Sequence, residues 1–105
     1  MKMVCPSGIT WHMTSRGKGE SILFLHGFGM CHLVWERQMD YFQDLYHVVA
    51  PDLPGHGQSS WCELDLDELA RDVQFILENL PLQRVTVVGS SFGGLIGLNL
   101  LMYCP

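Results

Sequence analysis

Apolar and polar positions change period several times along these 105 residues. Ile9, Trp11 and Met13 alternate with Thr10, His12 and Thr14, the two-residue period of a half-buried antiparallel strand. Gly17-Lys18-Gly19 turns the chain into Ser21–Leu25, where Ile22-Leu23-Phe24-Leu25 runs without a polar break. Such a run suits a strand buried on both faces of a parallel sheet. Val34, Trp35, Met39, Phe42 and Leu45 fall roughly on one helical face and predict a helix over 34–45, with a strand over Tyr46–Ala50. Asp65 followed by Glu68 is a capping-box variant that opens the next helix. Leu66, Leu69, Val73, Ile76, Leu77 and Leu80 form its apolar stripe, Arg71, Asp72, Gln74 and Glu78 lie off it, and Pro81 ends it. Arg84–Val88 reads as a strand. Leu95, Ile96, Leu98, Leu100, Leu101 and Met102 then mark a helix that is apolar almost all round. Helices alternating with strands imply an α/β fold, a mostly parallel sheet with flanking helices and right-handed crossovers.

Chemistry enters where strand meets helix. Val85-Thr86-Val87-Val88 leads straight into Gly89-Ser90-Ser91-Phe92-Gly93. In a G-x-S-x-G elbow the serine occupies a tight, strained turn, so its hydroxyl stands clear of the sheet. Crowding explains Gly89 and Gly93, two residues either side of Ser91, where larger side chains would clash. Gly94 extends the small surface and is expected to let the helix approach the sheet. Two more turns precede the elbow. The buried run at Leu25 ends in His26-Gly27-Phe28-Gly29. Val48-Val49-Ala50 ends in Pro51-Asp52-Leu53-Pro54-Gly55-His56-Gly57-Gln58-Ser59, where Asp52 can bond its own backbone two residues on.

Taken together, the three motifs resemble the N-terminal part of the α/β-hydrolase superfamily. The nearest subgroup holds carboxylesterases, meta-cleavage-product hydrolases and haloperoxidase-like esterases. The likeness runs from about Gly8 to Pro105. It implies that Ser91 is the nucleophile and that the backbone N–H groups of Phe28 and Phe92 form the oxyanion hole. It also implies a turn role for Gly27, and a structural role for Asp52 and His56. A serine at position 91 argues against the dehalogenase and epoxide-hydrolase branches, which place an aspartate there. No metal and no organic cofactor is expected, since serine acyl transfer needs neither. The expected partner is a small-molecule acyl substrate.

Composition narrows the class. At 48% apolar residues the chain is globular, and it is long enough for one domain at most. A net charge of −5 without a Lys/Arg cluster speaks against nucleic acid. No apolar run reaches the length of a membrane span. The N-terminal Met1-Lys2-Met3-Val4-Cys5-Pro6 lacks the apolar stretch of a signal peptide. Cys5, Cys31, Cys62 and Cys104 are scattered, which fits reduced thiols in the cytoplasm.

The family's acid and histidine follow the serine in chain order, yet the 14 residues after Ser91 contain no Asp, Glu or His. Without further strands, Arg84–Val88 would be a bare apolar sheet edge. Both features lead to the expectation that residues 1–105 are a partial domain ending with the helix after the elbow, its C-terminal part missing. The alternative is a non-enzymatic remnant, or a half-domain that needs a complementary chain.

Overall fold

A computed structural model describes residues 1–61, 63–80 and 84–102. The expected helix stop at Pro81 and the thiols Cys62 and Cys104 lie outside the described residues. Five strands form one sheet: β1 (Lys2–Val4), β2 (Thr10–Arg16), β3 (Ser21–Leu25), β4 (His47–Pro51) and β5 (Val85–Gly89). Their spatial order is β1-β2-β4-β3-β5. The sheet is mixed. β4, β3 and β5 run parallel, and β2 joins β4 antiparallel with β1 antiparallel beyond it. Three α-helices flank it: α1 (Glu36–Phe42), α2 (Leu66–Glu78) and α3 (Phe92–Leu100).

The period-2 geometry of the strands sorts the core into two layers. Leu23 and Leu25 of β3 join Trp11, Met13 and Val49 beneath α2 and α3, with Leu69, Val73, Ile76, Ile96 and Leu100. Ile22 and Phe24 face the opposite way, with Val48 and Ala50, against Met39 of α1. All five residues of β3 are buried, as its unbroken apolar run predicts. The α2 capping box is complete: Glu68 N–H donates to Asp65 Oδ1 at 2.8 Å and Asp65 N–H to Glu68 Oε1 at 3.3 Å.

Several expectations are corrected. The helix over 34–45 is shorter: a 3₁₀ turn at His32–Trp35 precedes α1, which stops at Phe42. Neither Cys31 nor Trp35 supplies a side-chain cap, so nothing seeds a longer helix. Leu45 is exposed, because the N–H groups of Leu45 and Tyr46 both fold back onto the Phe42 carbonyl. Asp72 is not on the solvent face of α2. It is buried, accepting from the Ser7 hydroxyl at 2.5 Å and the Trp11 indole N–H at 2.9 Å. Strand β1 adds an edge that three residues do not announce.

The last helix is packed on one side only. Gly93, Ile96 and Leu100 are buried against the sheet, while Leu95 and Leu98 are exposed. They line a groove with Val85, Val87 and Leu77, on the edge strand β5. No described helix is long and apolar enough to cross a membrane.

Candidate functional site

β5 ends at Gly89 and α3 begins at Phe92, so only Ser90 and Ser91 make the turn. Ser91 has φ 53° and ψ −115°; it is the one non-glycine residue with positive φ among the described residues. Such a conformation costs on the order of 1–3 kcal/mol, and its surroundings must hold it in place. They do so through crowding. A Cβ at Gly93 would lie 2.2 Å from the Leu25 carbonyl oxygen, and one at Gly89 would lie 2.5 Å from the Gly94 nitrogen. Gly94 itself has room, since its Cβ would meet Gly89 at an ordinary 3.5 Å. The close approach expected of Gly94 therefore falls to Gly93, with Gly97 in support, 3.1 Å from Val87. Ser90 N–H donates to Leu25 O at 3.0 Å, stitching the elbow to the end of β3.

That stitch brings the loop after β3 against the serine. A Cβ on Gly27 would sit 3.4 Å from Ser91 Cβ and 3.4 Å from Ser90 O. Gly27 O accepts from Met30 N–H at 3.2 Å, and Gly29 has φ +82°. This is a tight turn with glycine at the position where a left-handed φ is required, as in a type II turn. Phe28 sits at its tip, largely exposed, its ring edge-on to Phe92 at 6.2 Å. Phe92 is the first residue of α3, where an N–H has no acceptor within the helix. No described backbone carbonyl accepts from the Phe28 or Phe92 N–H. Both donors belong to the two turns that meet at Ser91, whose hydroxyl caps nothing.

The histidines are occupied elsewhere. His26 is fully buried; its Nδ1–H donates to Gly27 O at 2.7 Å and its Nε2 accepts from Leu53 N–H at 2.9 Å. Burial lowers its pKa, which agrees with this neutral tautomer. His56 accepts from Gly29 N–H at 2.8 Å and donates to Pro54 O at 3.0 Å. His47 lies between Ser15 and Ser21. His12 and His32 each place Nδ1 on Asp52, at 3.2 and 2.8 Å. His32 is thus held to Asp52 by both its ring and its backbone N–H. No described histidine hydrogen-bonds Ser91. The Cys5 thiol is no rival nucleophile either, because burial, and next the Asp72 charge, push it up to about 12.

Asp52 is the hub beneath the site. Its carboxylate is buried and accepts from His32 N–H at 2.7 Å and Gln58 N–H at 3.1 Å, besides the two imidazoles. The Asx bond two residues on that its turn context predicts is replaced by these longer-range donors. Burial alone would raise its pKa; the His32 and Gln58 hydrogen bonds outweigh that and hold it below the usual carboxylate value. His12, His32 and Asp52 are also the one group among the described residues whose ligand atoms lie close enough to hold a metal ion, within 4.8 Å of one another. Two imidazoles and a carboxylate would suit zinc or iron. Each carboxylate oxygen already accepts two N–H donors, however, so the cluster is satisfied as a hydrogen-bonded brace.

These groups make the fold acid-sensitive. His26 and His47 have pKa values lowered below 6.5 by burial. As the pH falls through 6.5 the unfolded chain takes up protons that the native state refuses, and stability drops. Asp52 acts lower down: its stabilisation is present above 3.8 and is lost as the pH falls through its depressed folded value. The urea midpoint should be flat from pH 8 to 7 and decline between pH 6.5 and 5. A midpoint unchanged down to pH 5 would show that neither imidazole is buried neutral.

The chain is similar to known proteins over most of its length. The profile of the family described as alpha/beta hydrolase fold matches residues 20–105. An (E)-2-((N-methylformamido)methylene)succinate hydrolase of Acinetobacter baylyi is 39% identical over 90 residues, 83% of this chain and 34% of that protein. A pimeloyl-[acyl-carrier protein] methyl ester esterase of Vibrio campbellii is 32% identical over 94 residues, 90% of this chain and 36% of the esterase. Among solved structures, an epoxide hydrolase from Bacillus megaterium superposes with a TM-score of 0.91 at 31% identity, over 100% of this chain and 38% of its own. The chain spans about a third of the length of the curated relatives it matches.

Proposed function

The chain belongs to the alpha/beta hydrolase fold family, and from that premise we propose that it forms the front part of a serine hydrolase acting on an ester or related acyl bond. The observation that carries this is Ser91, held at positive φ where the Gly27 loop meets the elbow, with the Phe28 and Phe92 N–H groups of these two turns unengaged. Its hydroxyl attacks the acyl carbonyl and an acyl-enzyme forms. The N–H groups of Phe28 and Phe92 hold the oxyanion of the tetrahedral intermediate. The protons are moved by a histidine and an acid from sequence outside these residues, since the five histidines here are engaged elsewhere or unaligned with Ser91. No cofactor takes part, and the setting is cytoplasmic. The nucleophile is what separates this reading from epoxide-hydrolase chemistry, despite the structural likeness, because a serine cannot form that branch's aspartyl ester. The esterase named among the relatives supports acyl chemistry without fixing the substrate.

The uncovered Leu95–Leu98 side of α3 and the edge strand β5 favour a larger assembly, either a longer chain or a complementary one. The test compares residues 1–105 with the natural full-length protein on short-chain p-nitrophenyl esters. The full-length protein should turn them over, and residues 1–105 should not exceed a serine-free control. Efficient turnover by residues 1–105, lost on Ser91→Ala, would overturn the need for an outside base.

A further inference from the structure

The loop that carries Phe28 is tied to the Asp52–Ser59 turn at three points. Leu53 N–H donates to His26 Nε2 at its start, and His32 N–H to Asp52 Oδ1 just past its end. The middle tie is Gly29 N–H to His56 Nε2, at 2.8 Å, on the residue next to Phe28. The tautomer of His56 follows from its partners. Pro54 O can only accept, so Nδ1, 3.0 Å away, carries the hydrogen and Nε2 is the lone-pair acceptor. The ring is also gripped edge-on by Phe28 at 5.2 Å and by His26 at 5.2 Å.

What this tie controls is the flip of one peptide. A turn closed from Met30 N–H to Gly27 O can be type I or type II, and the two differ in which way the central peptide, Phe28–Gly29, faces. The positive φ of Gly29 belongs to type II. Steric need does not set it, since a Cβ at Gly29 would meet nothing within 4 Å. The acceptor waiting for the Gly29 N–H does. We infer that His56 is a positioning residue: by holding the Gly29 N–H its imidazole keeps the turn in its type II form, and so steadies the preceding Gly27–Phe28 peptide of the same turn, whose Phe28 N–H donates to the oxygen of the carbonyl attacked by Ser91. This rests on the acyl-transfer reading above, in which Phe28 N–H is an oxyanion donor.

Two variants of the natural full-length protein test it. His56→Phe keeps a ring between Phe28 and His26 but removes the acceptor. His56→Gln restores an acceptor near the position of Nε2. Losing a whole oxyanion donor lowers kcat by about 10²–10³. Misaiming one through His56→Phe should lower kcat by roughly 10- to 100-fold with KM little changed, and His56→Gln should recover most of it. Amide exchange at Gly29 should quicken in His56→Phe and slow again in His56→Gln, with thermal midpoints checking the fold. Unchanged Gly29 exchange in a folded His56→Phe overturns the tie. Faster exchange with unchanged kcat overturns the positioning role. A wild-type protein with no ester turnover and no labelling by a fluorophosphonate fails on the underlying nucleophile instead.

Discussion

Ser91→Ala in the natural full-length protein should lower kcat on an activated ester by about 10⁶-fold, the scale on which loss of a triad serine acts. Stability should barely change. Alanine has the same Cβ at the same positive φ, and the Ser91 hydroxyl makes no cap bond that would be lost. Ser91→Gly sharpens the point. It is equally inactive, but it relieves the left-handed strain at φ 53° and should stabilise the fold by about 1 kcal/mol. An inactive variant that also unfolded would leave structure and chemistry entangled; this pair separates them. Turnover within tenfold of wild type in Ser91→Ala would remove Ser91 from the reaction.

The second large effect is structural. Gly93→Ala places a methyl 2.2 Å from the Leu25 carbonyl oxygen and 2.6 Å from that of His26. Both are backbone atoms at the end of β3, which cannot swing aside as a side chain would. The helix must lift from the sheet, and the Ser90–Leu25 bond that seats the elbow lengthens. We expect a loss of about 3 kcal/mol, on the order of ten degrees in Tm, together with lost activity because the elbow and the Gly27 loop separate. Gly94→Ala is the control. Its methyl meets Gly89 at 3.5 Å, and alanine in a helix gains about 0.5–1 kcal/mol over glycine, so it should be neutral or stabilising. Thermal unfolding of the two variants decides it, and equal midpoints would contradict the packing argument.

Local chemistry made much of this legible in the sequence. The unbroken run at Ile22–Leu25 marks the central buried strand, Asp65 and Glu68 mark a helix start, and the Gly–Ser–Gly spacing marks a crowded strand-to-helix turn. Each depends on residues within five positions of one another. What stayed hidden depends on distant partners. Asp72 looks like solvent face because its partners, Ser7 and Trp11, lie 65 and 61 residues away. Nothing near His32 in the chain shows its role, because Asp52, 20 residues on, is what holds it. β4 separates β2 from β3 in the sheet although it follows both in the chain, an order that no periodicity encodes. The difference between Gly93 and Gly94 is of the same kind: both are small, and only the placement of Leu25 O shows which one has no room.

The proposed reaction turns on Ser91 as the nucleophile. The most direct measurement treats the natural full-length protein with a fluorophosphonate and maps the adduct by mass spectrometry. One covalent adduct is expected, on Ser91 in the peptide spanning Gly89–Gly93, forming in step with loss of ester turnover. Turnover abolished with the label on another residue, or full turnover with Ser91 unlabelled, would contradict it.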